Sequence, residues 1–385
     1  MDKIYLDYAA ATPLDPAVLN CVYDLEKNYF GNPSSVHRFG QKSKNLIENA
    51  RKTIAGSIGA YPDEIVFTSG GTESNNMALI GAALANRERG RHIITTRIEH
   101  PAVLETSRYL ERSGFTITYI DVDGHGMISL DQLDRSVSEE TIVISVMLAN
   151  NETGVILPVE EIVNIIGGKN ILLHSDAVQA FGKLNIDVSS FAIDMLSLSS
   201  HKIYGPKGIG ALYIRRGKKV EKYIHGGAQE AGFRAGTENV AAIGGFAEAV
   251  EQLTIQRDEA GRIRELRNHL ESELKKTISG LAVNGEEAKR LYTHSSLYFP
   301  MIPGNSLLMN LDINGIAVSM GSACSSGSIK PSHVLTAMGF TQQRVSNSIR
   351  VSLGRFTTKE EIDKTIQQIK KIVGQMNIRE SDDSR

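Results

Sequence analysis

The feature that most constrains this chain is an alternation. Short apolar runs at residues 65–68, 92–96, 117–122, 142–148, 171–174, 195–198 and 210–214 are separated by stretches with helical spacing. Seven short strands with helices between them predict a mostly parallel, doubly wound sheet, because parallel neighbours need long crossovers. Two of those helices are expected to open at about Asn75 and at Pro101, proline being a favourable first helical residue. Sheets of this kind hold their ligands at the carboxyl ends of the strands. The residues just after each run are therefore where chemistry is to be sought.

A chain of 385 residues suggests two or three domains, or one large unit with a satellite. Past residue 245 the pattern changes. Phe246, Val250 and Leu253, then Ile263, Leu266, Leu270 and Leu274, recur at helical spacing. They predict one long connecting helix, or two, packed into a core and leading to a smaller C-terminal domain. The 42 basic and 44 acidic residues leave a formal charge of −2, which argues against direct nucleic-acid binding through a basic field. No apolar run approaches the ~20 residues that cross a bilayer, and residues 1–7 lack a signal-peptide pattern, so no membrane contact and a cytoplasmic location are expected. Cys21 and Cys324 are the two cysteines, and no CxxC occurs. That excludes a disulfide framework and a thiolate zinc site, and no metal is expected.

Each strand end carries a candidate. Gly70-Gly71-Thr72 closes one strand and opens a helix, a pattern that either cradles a phosphate or simply turns the chain with Thr72 as a cap. His100 precedes Pro101 and suits stacking, acid–base work or capping. Asn151, in Asn150-Asn151-Glu152, is a ligand candidate within a turn-like composition. Asp176 ends another strand, as a partner for a ring N–H⁺ or as a locally paired carboxylate, and Gln179 lies three residues on, on the same side if that segment is helical. Ser199-Ser200-His201-Lys202 follows the next. A lysine at a buried strand end loses solvation, its pKa falls, and the free amine can attack a carbonyl. Ser199, His201 and Lys202 can serve one phosphorylated ligand together. Arg350, amid apolar residues, needs an anion, which is either a substrate carboxylate or a structural partner. Cys324, in Gly321-Ser322-Ala323-Cys324-Ser325-Ser326-Gly327, reads as a reactive thiol on a flexible, accessible loop, whereas Cys21 reads as an inert core residue.

Taken in order, these blocks resemble the pyridoxal-phosphate enzymes of the aspartate aminotransferase fold, within the class V aminotransferases. More closely, the chain resembles the cysteine desulfurases of the nitrogen-fixation and iron–sulfur-assembly branch. The similarity runs from Tyr5-Leu6-Asp7-Tyr8-Ala9-Ala10 to about Thr358. It passes through Gly31-Asn32-Pro33, Thr68-Ser69-Gly70-Gly71-Thr72-Glu73, His174-Ser175-Asp176-Ala177, Ser199-Ser200-His201-Lys202-Ile203-Tyr204, Arg234-Ala235-Gly236-Thr237 and Gly321-Ser322-Ala323-Cys324.

The resemblance implies an α/β fold with an aspartate-aminotransferase-like large domain over residues 13–250, built on a mostly parallel seven-stranded sheet. It also implies a smaller α+β domain from residues 1–12 and 251–385, carrying the Cys324 loop. It implies that Lys202 holds pyridoxal 5'-phosphate covalently, that Asp176 pairs with the ring nitrogen, that Gln179 reaches the phenolic oxygen and that His100 stacks on the ring. Gly71, Thr72, Ser199 and His201 would bind the phosphate. Thr237 would reach the phosphate of a neighbouring subunit, which implies a homodimer. Asn151 and Arg350 would hold the carboxylate of L-cysteine, and Cys324 would take its sulfur as a persulfide, leaving L-alanine. The sulfur would pass to an acceptor protein, either an iron–sulfur scaffold or a tRNA-thiolation enzyme. The C-terminal residues 377–385 match no docking extension of the iron–sulfur branch, so the acceptor stays open. An aminotransferase or a selenocysteine lyase on the same fold is the alternative enzyme, and a non-enzymatic cofactor-retaining protein the alternative outside enzymes.

Overall fold

The computed structural model describes residues 3–255, 259–321 and 331–382. Strand β1 (Ile4–Tyr5) opens the chain. The main sheet is built from β2 (Ile65–Thr68), β3 (His92–Thr96), β4 (Thr116–Ile120), β5 (Thr141–Ser145), β6 (Leu172–Asp176), β7 (Met195–Ser199) and β8 (Gly210–Ile214), in the order β2-β8-β7-β6-β5-β3-β4. The run β4-β3-β5-β6-β7 is parallel; β8 runs antiparallel to β7 and to β2, which forms the edge. All seven expected runs are strands, each within a few residues of its predicted bounds.

Period-two alternation divides these strands between two cores. Val66, Ile93, Val143, Leu172, Met195 and Leu212 face one side, under Met77, Leu79 and Ala82 of the helix Gly71–Asn86. Ile65, Phe67, Ile94, Ile144, Leu173 and Leu196 face the other, against Ile47 and Ile54 of Arg38–Ser57 and Phe246 of Val240–Ile255. With both faces covered, backbone at the strand ends is where side chains remain free for chemistry.

A third core joins the two ends of the chain. Ile4 and Leu6 pack with Ile263, Leu266, Leu270 and Leu274 of Glu259–Thr277 and with Ile362, Ile366 and Ile369 of Lys359–Asp382. The antiparallel sheet of β9 (Ala282–Val283), β10 (His294–Tyr298) and β12 (Ser348–Ser352) lies in it, and β1 pairs with β11 (Ile316–Ala317). The helical stripe past residue 245 therefore forms two helices.

Three local expectations are corrected. The helix expected at about Asn75 begins at Gly71, because Ser74 N–H already donates to the Gly70 carbonyl. Gln179 lies in a turn, not a helix: Ala180 and Phe181 N–H both close back on the Ala177 carbonyl. Cys21, in the helix Pro16–Asn28, is half-buried and belongs to none of the cores. Burial raises its thiol pKa, and Glu248, Asp24 and Glu251 add to that.

Candidate active site

The carboxyl ends of β2, β6 and β7 converge. After β2, Gly70 hands the chain to a sixteen-residue helix whose N-terminus faces the loops after β6 and β7. A Cβ on Gly71 would stand 2.6 Å from Cγ2 of Val178 and 3.8 Å from Cβ of Ser199, so only glycine fits there. The result is a cradle of backbone N–H groups at the positive end of a helix, suited to an anion. Ser199 Oγ and His201 Nδ1 lie 2.8 Å apart beside it. Burial, with Lys202 and Lys207 nearby, lowers the His201 pKa to about 4, so its imidazole is neutral near pH 7.

Lys202 follows His201 directly. Its Nζ donates to the carbonyls of Ala9 and Ala10, each at 2.6 Å. Burial and, less strongly, the nearby Arg350 charge lower its pKa to about 8, against the opposing pull of Asp7 and Asp176. An amine poised near 8 is free often enough at neutral pH to act as a nucleophile or base. Beside it opens a cavity of about 820 Å³, lined among others by Tyr8, Lys183, Tyr204 and His294.

Asp176 ends β6, buried. Its Oδ2 accepts from Asn75 Nδ2 at 2.7 Å and its Oδ1 from Val178 N–H at 2.9 Å. Gln179 donates through Nε2 to the Ala9 carbonyl at 2.8 Å, and its buried Oε1 has no partner among the described residues. His100 caps the helix Pro101–Arg112, its Nδ1 accepting from Ala102 N–H at 3.1 Å. Burial lowers its pKa; Asp176 raises it, and Lys202 and His333 lower it. The same residue thus both caps and faces the charges of the site.

Arg350, on β12, is 3 % exposed. Its Nη2 pairs with Asp7 at 2.8 Å, its Nη1 donates to the carbonyls of Asn151 (2.8 Å) and Gly321 (3.4 Å), and its Nε has no partner among the described residues. Asn151 thus lies beside Arg350, in contact through its backbone carbonyl. Thr237 is exposed, in a hollow of about 200 Å³ with Ser69, Gly208 and Arg234, and does not line the Lys202 cavity. Cys324 lies outside the described residues.

Several participants carried little or no readable signal. Asn75 sits one helical turn past Thr72, and its spacing from that residue was the available clue. Asp7 meets Arg350 across 343 residues of sequence. Glu99 is fully buried next to His100, and burial raises its pKa to about 8, against hydrogen bonds from Met147 N–H and Thr96. Burial likewise raises the Glu152 carboxyl, against Ser332, His333 and Arg350.

The donor set fits pyridoxal phosphate: a low-pKa amine for its aldehyde, a buried carboxylate for its ring nitrogen, and a glycine cradle at a helix N-terminus for its phosphate. Comparison with known proteins agrees. The model of the family described as "Aminotransferase class-V" matches residues 4–365. The chain belongs to the class-V aminotransferase family. This family is pyridoxal-phosphate dependent. A "Cysteine desulfurase IscS" of Dictyoglomus turgidum is 47 % identical over 372 residues, covering 96 % of this chain and 94 % of the relative. One of the same name from Methanosarcina thermophila is 47 % identical over 371 residues, covering 96 % and 92 %. Among solved structures, a "NifS-like protein" superposes with a TM-score of 0.91 at 39 % identity, covering 97 % of this chain and 100 % of that one. A NifS-like protein from Rickettsia africae gives 0.87 at 33 %, covering 97 % and 100 %. Class-V membership thus matches the expected fold: an α/β architecture on a mostly parallel seven-stranded sheet.

Proposed function

We propose that this chain is a pyridoxal-phosphate-dependent cysteine desulfurase that converts L-cysteine to L-alanine and keeps the sulfur as a persulfide on Cys324. The observation that carries this reading is the convergence of a low-pKa amine, Lys202, and a buried carboxylate, Asp176, at the ends of adjacent parallel strands, near Arg350. The names borne by relatives at 44–47 % identity support it.

When bound, the cofactor supplies an electron sink for the substrate's Cα. The chain's residues do the rest. Arg350 and Asn151 hold the substrate carboxylate. Asp176, a carboxylate fixed by Asn75, keeps a proton on the ring nitrogen. Lys202 Nζ holds the cofactor, then carries the α-proton. Gly71, Thr72, Ser199 and His201 hold the phosphate, and Gln179 and His100 flank the ring. The Cys324 thiolate attacks the substrate sulfur. A sulfur–sulfur bond forms, and the carbon–sulfur bond breaks with its electron pair going to Cβ, which takes up a proton. L-cysteine and a thiol thus become L-alanine and a persulfide, with no external oxidant.

The finer reading is a cytoplasmic homodimer in which Thr237 reaches the partner's phosphate site. The sulfur then passes to an iron–sulfur scaffold or a tRNA-thiolation enzyme. Feeding sulfur-labelled L-cysteine to the holoenzyme tests the activity. Alanine and protein-bound label should appear in equal amounts in a single turnover; pyruvate without alanine would contradict it.

A further inference from the structure

The cavity beside Lys202 is not the cofactor seat. Its volume of about 820 Å³ is that of a small-molecule site. Among the residues named for cofactor and substrate, Lys202 alone lines it; the Gly71 cradle, Asp176, His100 and Arg350 do not. The exposed residues Ser57 and Asn185 mark its mouth.

Its apolar wall comes from two cores. Phe181, Ile203 and Val250 belong to the core that holds Phe67 and Phe246, whereas Ile263 and Leu353 belong to the one that joins the chain ends. A molecule with an apolar body would touch both.

Two nitrogens in the cavity are short of partners. His294, on β10, is fully buried. Its Nδ1 lies 2.8 Å from the Thr293 hydroxyl, and its Nε2 has no partner among the described residues. A buried ring nitrogen left unpaired costs free energy that a bound acceptor would recover. Burial keeps the imidazole neutral. With Thr293 donating to Nδ1, Nε2 carries the proton and is a donor.

Lys183 supplies the second. Gly182 before it has φ +75°, and a Cβ there would stand 2.8 Å from Ile203 Cγ2, so glycine brings the backbone close to that wall. Lys183 Nζ donates to the Gln179 carbonyl at 2.9 Å and pairs with no carboxylate among the described residues. Burial lowers its pKa to about 7, and Lys202 adds to that. Of the charges around His294, Lys183 acts on it most strongly, ahead of Arg350 and Lys202. The cavity's other charges are paired or solvated: Arg355 pairs with Asp15 and Glu259, and Glu251 is exposed.

We propose that this cavity is a second ligand site, which takes a monocarboxylate with an apolar tail. The carboxylate sits on Lys183 and His294, and the tail lies against Phe181, Val250 and Ile263. A carboxylate suits both donors, since its two oxygens can each accept a hydrogen bond. A tail suits the rest of the wall, where each buried methylene strengthens binding about fourfold. Bound there, the ligand ties the two cores together and sets a negative charge near Lys202. The site does not depend on which reaction Lys202 performs.

The probe is octanoate, with octanamide and acetate beside it, titrated by calorimetry into the holoenzyme and its Lys183→Met form. Octanoate should bind once per chain. Octanamide keeps the tail without the charge and should bind about tenfold or more weakly. Acetate keeps the head alone and should bind about 100-fold or more weakly. Lys183→Met should lower octanoate affinity about tenfold or more and leave octanamide within about twofold. No binding of octanoate to the wild type overturns the proposal. So does equal affinity for octanoate and either octanamide or acetate, a comparison that needs no variant. Octanoate binding that survives Lys183→Met unchanged puts the ligand elsewhere and overturns it as well.

Discussion

Asn75 Nδ2 donates to Asp176 Oδ2 at 2.7 Å, inside the protein, from the first turns of one helix to the end of a parallel strand. A charge-assisted hydrogen bond of this kind contributes about 1.5–3 kcal/mol. It fixes the orientation of the carboxylate where the cofactor nitrogen needs it. Asn75→Ala is expected to weaken pyridoxal phosphate binding about 10- to 100-fold, read by equilibrium titration of the cofactor's absorbance. Asp176→Ala should weaken it more. Equal affinity in Asn75→Ala and wild type would separate this bond from cofactor binding.

Lys202 gives a pH dependence. Its pKa is lowered by burial to about 8, so the free amine grows through that value and saturates above it. The rate at which cofactor-free protein captures pyridoxal phosphate should therefore rise from pH 7 to about 9 and then level off. Borohydride reduction followed by peptide mapping should find the cofactor on Lys202. A rate that climbs without levelling toward pH 10.5 would mean an amine of ordinary basicity.

Arg350 is held by Asp7 on one nitrogen and by the carbonyls of Asn151 and Gly321 on another. Its guanidinium is pre-set, with little rotamer freedom left to lose on binding a carboxylate. Arg350→Lys keeps the charge and removes the fork. KM for L-cysteine should rise about tenfold or more, while cofactor affinity stays put. A parallel loss of cofactor would assign Arg350 to the fold instead.

His174 sets an acid limit. It is fully buried between Ser145 and Ser197, and burial lowers its pKa to about 4. The unfolded chain takes up that proton near pH 6.5. Between about 6.5 and 4 the unfolded state therefore binds more protons, and stability falls as pH falls. The melting temperature should decline across that window, and His174→Gln should flatten part of the slope. A variant with an undiminished slope would shift the cause to other groups.

Much of this was legible in the sequence because strand alternation and strand-end chemistry are local. Lys202, Asp176 and Gly71 each follow an apolar run, and topology alone brings such ends together. What was not legible depends on distance along the chain. Nothing near Asp7 announces Arg350, and nothing near Glu152 announces Ser332. Glu99 and Glu152 read as ordinary polar residues, since only tertiary packing removes them from water. The helix start at Gly71 instead of Asn75 reflects glycine, a poor helix former, held there by the cradle it makes. Gln179 shows the reverse, a helix-compatible stretch turned aside after the strand ends at Asp176. Cys21 looked like core from its apolar neighbours, but it lies between the buried positions Val18 and Leu25, partly facing solvent.

The central claim is that sulfur leaves L-cysteine by transfer to Cys324. The most direct test is alanine formed from L-cysteine by the wild-type holoenzyme and by Cys324→Ala, with a reducing thiol present to turn the persulfide over. The account predicts steady alanine from the wild type and almost none from the variant, with cofactor content equal in the two. Equal alanine from both would contradict it, since sulfur would then leave without that thiol.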